Sequence, residues 1–261
     1  MQAPPASLSN PTPRERGELY RYPIRSARGD LEKIPSRPKI RNMKFQQRHA
    51  WNLPPGEAIL VQKSLAKDIV RSNELGEIKH VAGMDVGFKG GFAIAAVAVL
   101  KFPSLELVEV ARSRLPVSFP YIPGLLSFRE APVLLDALEK LATSPDLLLC
   151  DGQGIAHPRR FGIACHLGIT TGIPSIGVAK TRLVGSHQMP GNEKGDWAPL
   201  TDKGETIGAV LRTRRGVKPV YVSVGHKIDL ETAISFVMAC TTKYRLPETT
   251  RWAHRLASTE P

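Results

Sequence analysis

The stretch Asp146-Leu147-Leu148-Leu149-Cys150-Asp151-Gly152-Gln153-Gly154 decides the fold. Four apolar residues between two acids are the length of a buried strand, and glycines open the backbone immediately after it. An acid at the end of such a strand is costly to bury unless it has a partner. A second segment repeats the arrangement: His80-Val81-Ala82-Gly83-Met84-Asp85-Val86-Gly87-Phe88 is an apolar strand with one acid inside it. Two buried strands with one carboxylate each point to an oxygen-ligand site for a divalent cation beside an anionic ligand.

Working outward, the spacing predicts a helix over residues 57–72 and strands over 79–87, 92–100 and 105–114. Gly90-Gly91 joins the first two strands as a tight hairpin turn. Pro116 to Gly124 is too rich in proline for regular structure. A helix over 126–142 is expected to break or kink at Pro132. Strand 146–151, helix 159–171, strand 173–179, strands near 206–213 and 219–224, and helix 230–241 complete the chain. Three antiparallel strands followed by helix–strand–helix–strand is the order of the ribonuclease H-like fold. That is an α/β fold with a mixed five-stranded sheet and helices on both faces. Its first and fourth strands lie side by side, so Asp85 and Asp151 should be neighbours. Adjacent carboxylates repel and raise a pKa unless a cation lies between them.

The chain has 261 residues and a formal net charge of +12. Residues 1–50 hold eleven Lys and Arg against four Asp and Glu, a net of +7, so the basic balance is largely a property of the N-terminus. Residues 1–45 are proline-rich and lack apolar periodicity. They read as a disordered basic tail, an arm that could add nonspecific affinity for phosphate. Residues 46–261 read as one globular domain. No run of about 18 apolar residues occurs, which argues against a membrane span. No secretory signal is evident. The three cysteines, Cys150, Cys165 and Cys240, lack zinc-like spacing and read as reduced thiols of a cytoplasmic protein.

Five short pieces in order resemble the endonuclease V family across residues 56–255. They are Ala82-Gly83-Met84-Asp85-Val86, Pro120-Tyr121-Ile122-Pro123-Gly124 with Phe128-Arg129-Glu130, Asp151-Gly152 with His157-Pro158-Arg159, Gly177-Val178-Ala179-Lys180, and Val222-Ser223-Val224-Gly225-His226-Lys227-Ile228. The resemblance implies a ribonuclease H-like fold. It also implies Mg²⁺-dependent hydrolysis of the second phosphodiester 3′ to deoxyinosine, with Mn²⁺ expected to substitute. It makes Glu130 a third site carboxylate, where spacing alone reads a helix-start acid favoured by the dipole. It makes Asp229 a candidate fourth ligand, although its place before a helix is also that of an N-cap. Lys180 ends an apolar strand. A snorkelling lysine is the plain reading, and the resemblance favours a cation that orients water or neutralises the scissile phosphate. By the same resemblance, Pro120 to Pro123 is a wedge, with Tyr121 presented on a proline-stiffened loop. The lesion base would enter a pocket walled by Gly124, Gly152, Gly154 and Ile163. His157 is placed to touch substrate and His226 to line the site, whereas Arg129 and His166 read as structural. The expected partner is inosine-containing DNA, with RNA as the alternative substrate, and the expected state is a monomer. A nucleic-acid-binding module without catalysis and a related nuclease with another target are the rival readings. The full set of matching carboxylates argues against the first and the Tyr121 segment against the second.

Overall fold

The computed structural model describes residue 45 and residues 47–258. The proposed tail therefore lies outside the described residues, except for Phe45. That residue packs on the core, and its backbone N–H donates to Glu139 Oε1 at 3.5 Å.

The chain runs α1 (Pro55–Leu65), a 3-10 turn (Ala66–Asp68), β1 (His80–Lys89), β2 (Phe92–Lys101), β3 (Leu107–Pro116), α2 (Leu126–Glu139), β4 (Leu147–Cys150), α3 (Ile163–Thr171), β5 (Ser175–Ala179), β6 (Trp197–Asp202), β7 (Glu205–Leu211), β8 (Val220–His226), α4 (Leu230–Ala239) and α5 (Glu248–Ala257). One sheet holds eight strands in the order β3-β2-β1-β4-β5-β8-β7-β6. Its first five places are the expected ribonuclease H-like sheet. β1, β2 and β3 are antiparallel neighbours, and β1, β4 and β5 run parallel. The expected count of five is extended by β8, β7 and β6, all antiparallel.

Side chains alternate across this sheet, as a pleated strand requires. Ala82, Met84, Leu148 and Cys150 join the apolar layer under α2, with Ala131, Leu134 and Leu138. Val81, Leu147, Leu149, Ile176 and Val178 join the opposite layer, with Ile234 and Val237 of α4 and Trp252 of α5. Helices thus cover both faces, and each inward residue of the central strands is removed from water.

Several boundaries differ from expectation for identifiable reasons. The helix α2 runs through Pro132 without interruption. The helix α3 begins at Ile163 rather than at 159, because Arg160 takes φ +55° and Gly162 is the extended N-cap. Strand β6 carries Pro199, which an edge strand tolerates because one side of its ladder needs no donor.

Helix α5, which the sequence pattern did not reveal, packs directly on β1. It does so at Gly83, where an added Cβ would fall inside the Thr249 carbonyl group. The absence of a side chain at position 83 is what lets the helix lie so close. Gly83→Ala is therefore expected to lower stability by on the order of 3 kcal/mol, since backbone must move to relieve the overlap. Urea denaturation checks this, and an unchanged midpoint would mean that α5 yields freely.

Candidate functional site

The register of β1 against β4 builds the site. Met84 pairs with Cys150 in parallel, so the next residues, Asp85 and Asp151, stand side by side at the same level of the sheet. Parallel to β4, β5 delivers Lys180 at its own carboxyl end, after the pairing of Cys150 with Gly177. Lys180 Nζ lies 2.5 Å from Asp151 Oδ2. On the face of the sheet that Asp85 shares, α5 supplies His254, whose Nδ1 lies 2.6 Å from Asp85 Oδ2. Glu130 comes from the first turns of α2.

The three carboxylates feel one another. Burial pushes Glu130 up to about 8, and the charges of Asp85 and Asp151 add to the effect while Arg129 opposes it. Burial also raises Asp151, and there the Lys180 ammonium works against the shift. Among the described residues Glu130 takes no hydrogen bond and no ion pair, whereas Asp85 and Asp151 each hold a basic partner. No three such side chains among the described residues converge tightly enough to clasp an ion as they stand. Asp85 is engaged by His254 and Asp151 by Lys180. The donor set nonetheless fits a hard divalent cation. It offers carboxylate oxygens and no thiolate, since all three cysteines are buried and free.

Beside Asp151 and Lys180 opens a cleft of about 320 Å³. Tyr121, Pro123, Gly124, Gly152, His157 and Ile163 line it, whereas Gly154, expected as a fourth wall, does not. Tyr121 is 70 % exposed, with its ring free to meet a ligand. His157 is buried and both its ring nitrogens are engaged. Nε2 lies 3.0 Å from Gly124 O, and Nδ1 accepts from the Arg159 N–H at 3.2 Å. Burial and the neighbouring Arg159 charge hold this imidazole down to about 4, so it is neutral at ordinary pH. Arg129 donates to Phe119 O at 2.7 Å and stacks over Phe88, which is the structural role expected of it. His166 is fully buried, between Ser127 Oγ at 2.9 Å and His49 Nε2 at 2.6 Å.

Two expected site residues stand elsewhere. Strand β8 runs antiparallel to β5 and pairs His226 with Ser175, the end of β5 opposite to Lys180. At about 3.3 Å per residue this separates His226 from Lys180 by roughly 15 Å. Its Nδ1 accepts from the Val70 N–H at 3.3 Å. Asp229 lies three residues further on and caps α4. Its Oδ1 accepts from Thr232 N at 2.7 Å and its Oδ2 from Asn73 Nδ2 at 2.6 Å. The placement of Asp229 as a fourth ligand is thus corrected to an N-cap on the far side of β5. The residue that takes the fourth place beside the carboxylates is His254. A signal for it existed: Pro247-Glu248 opens a helix, and Trp252, Ala253, Leu256 and Ala257 repeat at helical spacing.

A ribonuclease H-like sheet with Asp85 and Asp151 on adjacent strands, Glu130 on α2 and Lys180 at the end of β5 fits a metal-dependent nuclease. Residues 63–255 match the family model described as Endonuclease V. The chain belongs to the endonuclease V family. It is 59 % identical over 204 residues to the endonuclease V of Rippkaea orientalis, covering 77 % of this chain and 89 % of that protein. The endonuclease V structure from Streptomyces avermitilis superposes with a TM-score of 0.76 at 45 % identity, covering 80 % of this chain and 93 % of the other. The Ciona intestinalis endonuclease V, solved with a 23mer DNA containing an inosine followed by a ribo-adenosine, has a TM-score of 0.68 at 29 % identity. That match covers 77 % of this chain and 94 % of the other.

Were Glu130 to ligate a cation, uptake would be proton-linked: it would have to lose its proton first, so below about pH 8 binding would release one. Calorimetry at pH 7 in buffers of different ionisation heats should show that release, and Glu130→Gln should abolish it. In the metal-free protein Glu130 stays protonated to higher pH than in the unfolded chain. The folded state holds the Glu130 proton where the unfolded chain has lost it. Its contribution is therefore full below 4.5 and is lost as pH rises through about 8.

Proposed function

We propose that the protein is a DNA repair endonuclease that hydrolyses the second phosphodiester 3′ to deoxyinosine with Mg²⁺, leaving a 3′-hydroxyl and a 5′-phosphate. The observation that carries this reading is the cleft lined by Tyr121 and Gly124 that opens directly beside Asp151 and Lys180. A base-sized recess and a cluster of oxygen ligands share one wall, which is what lesion-directed strand cleavage needs.

The residues divide the work. Asp85, Glu130 and Asp151 would hold the cation, and His254 orients Asp85 through its 2.6 Å contact. A Mg²⁺ held by these carboxylates would supply Lewis acidity for activating the attacking water and for stabilising charge on the departing 3′-oxygen. Lys180 offers its ammonium to the scissile phosphate, and its pairing with Asp151 fixes where that charge stands. Tyr121 stacks into the space left when the lesion base is extruded. The recess then reads the base through backbone groups of the loop at Gly152, which lines it.

The reading extends to a monomer in a reducing, cytoplasmic compartment. It is supported by three buried free cysteines and by the finding that no helix among the described residues is long and apolar enough to cross a membrane. The ribo-adenosine in the Ciona complex supports one further reading, that inosine-containing RNA is also a substrate. Labelled oligonucleotides with and without inosine, as DNA and as RNA, test both. Cleavage of deoxyinosine DNA at the second 3′ bond is expected, and preference for the RNA would overturn the DNA assignment.

Asp85→Ala and Asp151→Ala should each abolish Mg²⁺-dependent cleavage while the chain stays folded. Near-normal turnover by either at saturating Mg²⁺ would refute the ligand roles. Tyr121→Ala should weaken deoxyinosine binding by on the order of 1–3 kcal/mol, roughly 5- to 150-fold, as expected for one stacked ring. Binding measured with Ca²⁺ in place of Mg²⁺ isolates this effect from chemistry. Equal affinity and equal discrimination against undamaged DNA would reduce Tyr121 to a packing residue.

A further inference from the structure

Tyr121 stands immediately before a tight turn. Leu125 N donates to Ile122 O at 2.9 Å, Pro123 takes the second position, and Gly124 takes the third with φ +80°. This is a type II turn, whose third position needs a positive φ and whose second suits proline. The carbonyl oxygen of Gly124 is held by a cluster of donors, two of which, Gln62 and His157, also line the cleft. It accepts from Gln62 Nε2 at 3.0 Å, from His157 Nε2 at 3.0 Å and from Arg159 Nη2 at 2.5 Å. The His157 tautomer follows from its surroundings. Nδ1 accepts the Arg159 N–H, so the ring proton is on Nε2 and is directed at Gly124.

The donors are themselves tied together. Gln62 is 1 % exposed on α1. Its amide also donates to Phe161 O at 3.1 Å, and its Oε1 accepts from Arg159 Nε at 2.6 Å. One donor would satisfy a buried carbonyl. Three donors, one of them cationic, reach it from α1 and from the segment after β4. They fix the orientation of a single peptide, the one on which the exposed Tyr121 ring depends.

We propose that Gln62, with His157 and Arg159, is a positioning residue whose hold on the Gly124 carbonyl keeps the Tyr121 turn in the strand-separating pose before DNA arrives. The inference rests on the deoxyinosine reading above. It assigns part of the discrimination to preorganisation, because a turn that is already ordered need not be ordered on binding. It also gives His157 a role that requires no contact with substrate.

The test uses the full chain with Gln62→Met, which keeps volume and removes the hydrogen bonds. Amide exchange at Leu125 should quicken at least about tenfold, the scale of losing one buried hydrogen bond. With Ca²⁺ present, the ratio of affinities for deoxyinosine and undamaged DNA should fall by a similar factor. Added to Tyr121→Ala, the substitution should cause no further fall, since both act through one ring. Unchanged exchange at Leu125, an unchanged ratio, or losses that multiply would each overturn the proposal. Should Gln62→Met not fold, His157 carries the test. His157→Gln keeps a donor for Gly124 and should retain most of the ratio, while His157→Leu should lose it. Equal losses in both would mean that the imidazole acts on DNA directly, against the proposal. If the parent shows no preference for deoxyinosine, the functional reading fails, and exchange at Leu125 still decides whether the clamp holds the turn.

Discussion

The parallel pairing of β1 with β4 is the constraint on which the rest of the site depends. Side chains along a strand alternate between faces, so a slip of one residue would send Asp85 and Asp151 to opposite sides of the sheet. With Met84 opposite Cys150, the two acids share a face and lie one strand spacing apart, about 4.8 Å. The same parallel run fixes Lys180, because β5 is in register with β4 through Gly177. The functional groups of three parallel strands thus come out at their carboxyl ends, the usual place for a site in such sheets. Asp85 is mid-strand only because β1 continues past it into the hairpin with β2.

That arrangement is electrostatically unfavourable when nothing sits between the acids, and the surroundings offset only part of it. His254 serves Asp85 and Lys180 serves Asp151, while Glu130 has neither, and its proton affinity rises accordingly. A fold selected for stability alone would place apolar side chains here, as it does one residue earlier at Met84 and Cys150. The local conflict marks where the sheet gives up stability in exchange for chemistry.

Periodicity and punctuation made most of this legible. The apolar runs at 80–88 and 147–150, the Gly90-Gly91 turn and the alternation of strands and helices were sufficient to place Asp85 next to Asp151. What escaped was set by tertiary contact rather than local pattern. Helix α5 is short and rich in charge, and its seat is created by the bare backbone of Gly83 far away in sequence. The spacing could have revealed the helix, but nothing local in the sequence places its His254 beside Asp85. Strand β6 was hidden by Pro199, and Asp229 was ambiguous because ligand and cap call for the same residue type. Only the antiparallel direction of β8, which sequence does not state, separates the two roles.

One loop joins chemistry to recognition. Asp151 belongs to the carboxylate cluster, and Gly152, the next residue, lines the cleft. Gln153 Nε2 donates to Thr181 O at 2.9 Å and so ties this loop to the strand end that carries Lys180. Gly154 N donates to Ser223 Oγ at 2.8 Å, and an added Cβ there would overlap the Val224 carbonyl, so the loop is pressed against β8 with no room to shift. On the proposed reading, a base seated in the cleft would be held at a set distance from the carboxylates by backbone that cannot adjust. The spacing between recess and reacting phosphate would then be a property of the fold and not of the DNA, and cleavage would fall at a constant offset from the lesion.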